Sequence, residues 1–145
     1  MSSRSQTFVC LDVGEKRIGV AVADSSVRIA VPFLTIEVDG SEIQAIAEVV
    51  LKEQADTLIL GYPRNQQGEA TAQTQYVEMF AERLKDLDVK ILFQDESLTS
   101  VLAEQRLISH KKPYTKGDID AQAAAIILQD YLEHYRGWFS KKTSK

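Results

Sequence analysis

Asp12 follows the apolar run Phe8-Val9-Cys10-Leu11 and precedes Val13, so a carboxylate stands at what is otherwise the buried end of a strand. A charge there must be paired, hydrogen-bonded or bound to metal. Capping the turn at Gly14 is the plainer role open to it. Asp95-Glu96 repeats the arrangement after the apolar run Val89 to Phe93, where an acid can also precede a helix capped by Ser97 or Thr99. Independent turn acids have no reason to fall at the same edge of the same sheet. A third acid comes from the last helical segment. At about 100° per residue, Asp120 lies with Ala123, Ala124, Ile127 and Tyr131 on the apolar stripe, unless it merely complements the helix dipole. Asp118 lies with Gln122, Ala125 and Gln129 on the polar face and suits the N-cap.

Carboxylates converging without histidine form a hard, all-oxygen site, which favours Mg²⁺ or Mn²⁺ over zinc. The two histidines, His110 and His134, lack ligand spacing. Mg²⁺ is usually held by one or two carboxylates with substrate phosphates completing its shell, and a pair of ions stabilises both attacking and leaving oxygens. Phosphodiester hydrolysis is therefore the leading chemistry, with no protein nucleophile required. Lys16, Arg17, Arg64, Asn65 and Lys116 flank the same edge and are the expected phosphate contacts, although such residues are more often simply solvated.

The elements that must position these groups alternate in type. Phe8 to Val13 and Arg17 to Ala23 read as two strands joined by Gly14-Glu15-Lys16, and Val27 to Ile36 as a third, placed at the sheet's outside by Pro32. Ser41-Glu42-Ile43-Gln44 fits a capping box, and Ile43, Ile46, Ala47, Val50 and Leu51 predict a helix to about Glu53. Thr57 to Leu60 is a short buried strand ending at Gly61-Tyr62-Pro63. A polar loop, Arg64 to Glu69, leads to a helix carrying Tyr76, Val77, Phe80, Leu84 and Leu87. Val89 to Phe93 is a fifth strand, Thr99 to Ser109 a third helix and Asp118 to Tyr135 a fourth. The order is βββαβαβαα, an α/β architecture with a five-stranded mixed sheet. Its first, fourth and fifth strands should be parallel, and ligands should gather beyond their carboxyl ends.

Composition agrees with one domain: 145 residues, 44% hydrophobic and 26% charged, with Cys10 as the lone cysteine, expected in the core of a protein in a reducing compartment. No apolar stretch has signal-peptide or membrane-span length, so a cytoplasmic location and no membrane partner are expected. Seventeen Lys and Arg against 21 Asp and Glu give a net charge of −4, which alone argues against nucleic acid. Distribution changes that. Four basic residues and no acid between Arg136 and Lys145, a segment expected to be loosely ordered, leave −8 on the rest of the chain. Lys111, Lys112 and Lys116 form a second basic stretch, and local patches hold phosphates on an otherwise acidic surface.

Four segments in order resemble the YqgF (RuvX) family over about Phe8 to Tyr135. They are Leu11-Asp12-Val13-Gly14-Glu15-Lys16-Arg17-Ile18-Gly19-Val20-Ala21-Val22-Ala23-Asp24, Gly61-Tyr62-Pro63 with Gly68, Asp95-Glu96-Ser97-Leu98-Thr99-Ser100, and Ile119-Asp120 with the alanines and Ile126-Ile127-Leu128. The resemblance implies an RNase H-like fold and a metal-dependent nuclease, with Asp12, Glu96 and Asp120 as its acids. Asp12 would bridge the ions and the other two complete their ligation. The family is described both as maturing pre-16S rRNA and as Holliday-junction-resolvase-like, so structured RNA or a DNA junction is the implied partner, for a monomer or a homodimer. Ser97 departs from the arginine that members usually carry. Actin-like ATPases and sugar kinases share the Asp-x-Gly hairpin, but they clamp nucleotide between two such domains and this chain supplies one. An inert nucleic-acid-binding scaffold of the same fold is disfavoured by intact acids at all three positions.

Overall fold

A computed structural model describes residues 6–63, 71–96, 105–106, 108–109 and 115–134; the side chains of Glu96 and His134 are outside this description. The elements are β1 (Thr7–Val13), β2 (Arg17–Asp24), β3 (Val31–Glu37), α1 (Glu42–Glu53), β4 (Thr57–Pro63), α2 (Ala72–Arg83), β5 (Lys90–Glu96) and α3 (Lys116–His134). They form one five-stranded sheet in the order β3-β2-β1-β4-β5. β1, β4 and β5 are parallel, and β2 is antiparallel to both β1 and β3. The expected mixed sheet is therefore present, with Pro32 on an edge strand. The β2–β3 register shifts between Val20 and Ala21, where Ala21 meets Pro32, because proline has no N–H to offer the ladder.

The strands read as near-continuous apolar runs because both faces are covered. On one face Val9, Leu11, Ile18, Val20, Leu58 and Leu60 pack with Ile46 and Val49 of α1 and Val77 and Phe80 of α2. On the other, Phe8, Cys10, Ala21, Ala23 and Ile59 meet Ala124, Ile127, Leu128 and Leu132 of α3. Cys10 is the buried core residue expected of it.

Several boundaries differ from the sequence reading. The third strand begins at Val31 rather than Val27, because the Asp24 carboxylate accepts from the Ser26 backbone and hydroxyl and Arg28 takes a left-handed φ of 67°. These make a turn where β-branched composition suggested strand. Ser41 makes no capping hydrogen bond of its own; its hydroxyl and N–H donate to Asp39, and the Glu42 carboxylate accepts from Gly40 N–H. Asp118 is not the N-cap of α3. Thr115 is, and the two form a reciprocal box, Thr115 N–H to Asp118 Oδ2 and Asp118 N–H to Thr115 Oγ1. Nor is the flank of Asp118 a solvent face. Gln122 and Ala125 are buried, while Gln129 accepts from Ala30 N–H and donates to the Arg28 carbonyl. An alanine-rich helix is slim enough to be buried on more than one side.

Most of the helix expected over Thr99 to Ser109 lies outside the described residues, although Gln105, Arg106, Ile108 and Ser109 are helical. Ser97, Lys111, Lys112 and the basic segment from Arg136 also lie outside them.

Candidate active site

β1 delivers Asp12 to the carboxyl edge of the sheet. Side chains alternate along a strand, so Asp12 continues the side on which Phe8 and Cys10 pack against α3, and it is half-buried there. Its register partner across the antiparallel ladder is Gly19. A Cβ at Gly19 would lie 1.9 Å from the backbone oxygen of Asp120. The second turn of α3, at Asp120 and Ala121, therefore rests directly on the β2 backbone, a close approach that only glycine permits. One glycine thus brings together acids far apart in sequence, with Asp12 beside it in the sheet and Asp120 on top of it. Sequence reasoning placed Gly19 in a matching motif without recognising this role; a glycine inside a strand pattern was the available signal.

Asp120 faces an intimate partner. Arg17 Nε donates to Asp120 Oδ2 at 2.6 Å, with the two side chains 30% and 24% exposed. The hydrogen bond to Asp120, then its charge, then that of Glu37 raise the Arg17 pKa above its ordinary value. Glu37 is the β3 residue in register with Arg17. The guanidinium expected to meet phosphate is thus held by a carboxylate in this structure.

A polar cleft of 430 Å³ opens beside this pair, lined by Gly14, Glu15, Lys16, Arg17, Gln73 and Asp120. Gly14 N–H donates to the Arg17 carbonyl at 3.0 Å, closing the hairpin turn that presents exposed Lys16. Gln73 was not anticipated. Its amide donates to the Val13 carbonyl at 3.2 Å, tying the start of α2 to the end of β1. Next to it, Thr71 and Thr74 form a capping box, and the buried Thr74 hydroxyl donates to the Pro63 carbonyl at the end of β4. The Thr-x-x-Thr spacing was the legible sign of this helix start. Lys116 is exposed in the first turn of α3 and is not among the cleft-lining residues. Arg64 and Asn65 lie outside the described residues.

Glu96 closes β5 in register with Pro63, and Asp95 precedes it opposite Tyr62. Both acidic strand ends thus belong to the sheet edge that ligands favour in parallel α/β folds. Among the described residues no three His, Cys, Asp or Glu side chains form a metal-holding group. The described carboxylates, Asp12 and Asp120, offer hard oxygen donors on one face of the sheet, beside an open polar cleft. That chemistry fits Mg²⁺ or Mn²⁺, which take one or two carboxylates and leave room for phosphate.

Residues 6–134 match the family model of RuvX, described as a Holliday junction resolvase. The chain belongs to the RuvX family. Among curated relatives, a protein of Chloroflexus aurantiacus is 42% identical over 137 residues, covering 90% of this chain and 89% of the relative. One from Shewanella oneidensis is 37% identical over 138 residues, covering 92% and 98%. Both carry the name "Putative pre-16S rRNA nuclease". Among solved structures, T. thermophilus RuvC in complex with a Holliday junction substrate superposes with a TM-score of 0.56 at 13% identity, covering 89% of this chain and 94% of that one. The fowlpox virus Holliday junction resolvase gives 0.56 at 14% identity, covering 90% and 100%. At such identities these structures speak to the fold alone, and that fold is RNase H-like. This RuvX chain is a nuclease by family. No described helix is long and apolar enough to cross a membrane.

Proposed function

We propose that this RuvX protein is a divalent-metal-dependent endonuclease that hydrolyses phosphodiester bonds in structured RNA, processing the 5′ end of pre-16S rRNA in the cytoplasm. The observation that carries the reading is the seating of Asp120 on Gly19, the register partner of Asp12. It joins two acids from the ends of the chain at the sheet edge where β5 finishes in Asp95-Glu96. Asp12, Glu96 and Asp120 are the proposed ligands of Mg²⁺ or Mn²⁺. When bound, the ions supply water activation and neutralise charge developing on the phosphate.

The chain's own residues bind and orient. Lys16, on a turn closed by a backbone hydrogen bond, offers a point charge to the phosphate backbone, and Lys116 offers another from the first turn of α3. Arg64 and Asn65 belong to the loop following β4 and are proposed to extend the same contact. Gln73 holds the cleft wall by its bond to Val13. None of these residues forms a covalent bond to substrate.

A four-way DNA junction is the alternative substrate, favoured by the description of the family. The test is cleavage of a 5′-extended 16S precursor and of a synthetic four-way junction, each in Mg²⁺, Mn²⁺, Ca²⁺ or chelator. The RNA should be cut with Mg²⁺ or Mn²⁺ and little with Ca²⁺. Full activity after exhaustive chelation would overturn the metal mechanism, and cleavage of the junction alone would overturn the RNA assignment. Depletion in cells, followed by mapping of ribosomal RNA 5′ ends, should show accumulation of extended precursors.

A further inference from the structure

Arg17 and Asp120 are unequal partners. Asp120 is fixed by its backbone, which lies against Gly19 so closely that not even a methyl group fits between them. Arg17 is held through its Nε, on a long flexible side chain that is 30% exposed beside an open cleft. If the pair separates, the guanidinium moves and the carboxylate stays. A divalent cation ligated by Asp120 would compete with Arg17 for the same Oδ2, because two cations cannot share one carboxylate oxygen without repulsion. A displaced guanidinium needs another anion. Glu37, in register with Arg17, keeps it near the edge, and the cleft beside it is where a phosphate would enter. The planar guanidinium suits phosphate recognition because its fork can bind two oxygens at once.

We propose that Arg17 is an exchangeable counter-ion: it neutralises Asp120 in the free protein and passes to a backbone phosphate when a divalent cation takes Asp120. Cation and nucleic acid then promote each other's binding, reciprocally, through one side chain. This rests on the reading of the acidic edge as the metal site. It assigns Arg17 as a positioning residue whose two roles alternate.

The test measures Mn²⁺ affinity by electron paramagnetic resonance of the free ion for wild type, Arg17→Gln, Arg17→Lys and Asp120→Asn. Each is titrated with and without a non-cleavable 2′-O-methyl RNA stem-loop, with circular dichroism as the folding control. Wild type should bind Mn²⁺ about fivefold or more tightly when the stem-loop is present. Without RNA, Arg17→Gln should bind Mn²⁺ more tightly than wild type, and should gain much less from the stem-loop. Arg17→Lys, which keeps the charge but not the fork, should fall between them and decides the matter if Arg17→Gln is unfolded. Arginine variants that bind Mn²⁺ no more tightly than wild type, or gain equally from RNA, would overturn the exchange. Asp120→Asn that binds Mn²⁺ like wild type would instead overturn the metal site itself.

Discussion

At the scale of single residues, two aspartates two positions apart have separate work. Asp118 is exposed and closes the capping box with Thr115, whereas Asp120 is half-buried against β2. Asp120→Asn should stay folded and lose at least about 10 to 100-fold in turnover, the range typical for losing even a group that only supports a metal ligand. Asp118→Ala should keep turnover in the folded protein and lose about 0.3–1 kcal/mol, the worth of an acid in the first helical turn, read by urea unfolding. Reversal of the two phenotypes would show that Asp118, not Asp120, serves the metal. Glu42 supports a different expectation. It is buried, and backbone N–H groups of Glu42 and Gly40, helped by Arg83, lower its pKa below the ordinary carboxyl range. A lowered folded-state pKa contributes stability above the unfolded value, and that contribution is lost as pH falls through the folded value. Glu42→Gln should therefore be less stable than wild type at neutral pH, with the difference shrinking progressively in acid. A constant difference from pH 7 to pH 3 would show that packing, not charge, accounts for the loss.

At the scale of elements, the decisive joint is α3 on β2. Gly19→Ala inserts a methyl group into backbone, so α3 must lift and carry Asp120 with it. Overpacking of this kind costs about 1–3 kcal/mol. Activity should fall much further than stability, measured by turnover of the fraction still folded. Turnover matching wild type per folded molecule would show that the acids tolerate the shift. Short apolar runs and helical periodicity foretold every described strand and the three long helices, and helix phase singled out Asp120, because burial on both sheet faces and on one helix side imposes those patterns directly. What escaped was chemistry that depends on neighbours distant in sequence. The pairing of Arg17 with Asp120 spans 103 residues, and nothing near either residue announces it. The polar flank of α3 misled for the same reason, since Gln129 is satisfied by the segment before β3 and Gln122 is buried. At Asp24 the local competition between an Asx turn and β-branched residues went to the turn.

At the scale of the whole molecule, the chain carries −4 overall while four basic residues cluster from Arg136 to Lys145. Removing that segment should weaken nucleic-acid binding and lower the slope of log affinity against log salt by up to about 3 to 4, at roughly 0.7–0.9 for each phosphate no longer neutralised. An unchanged slope would show that the segment touches no phosphate.

The layer beneath the site has a consequence for biosynthesis. Among the described residues, α3 is the helix that covers one face of the sheet, packing on Phe8, Cys10 and Ile59. During translation the amino-terminal elements emerge first and fold as units. Asp12 therefore leaves the ribosome long before Asp120 exists to join it. A nascent chain without α3 has all five strands, yet it presents Asp12 without Asp120 and lacks that helix on one face. On the proposed reading of the site, a chain whose α3 has yet to pack lacks one of its metal ligands, so nuclease activity is expected to arise only once that helix seats on Gly19.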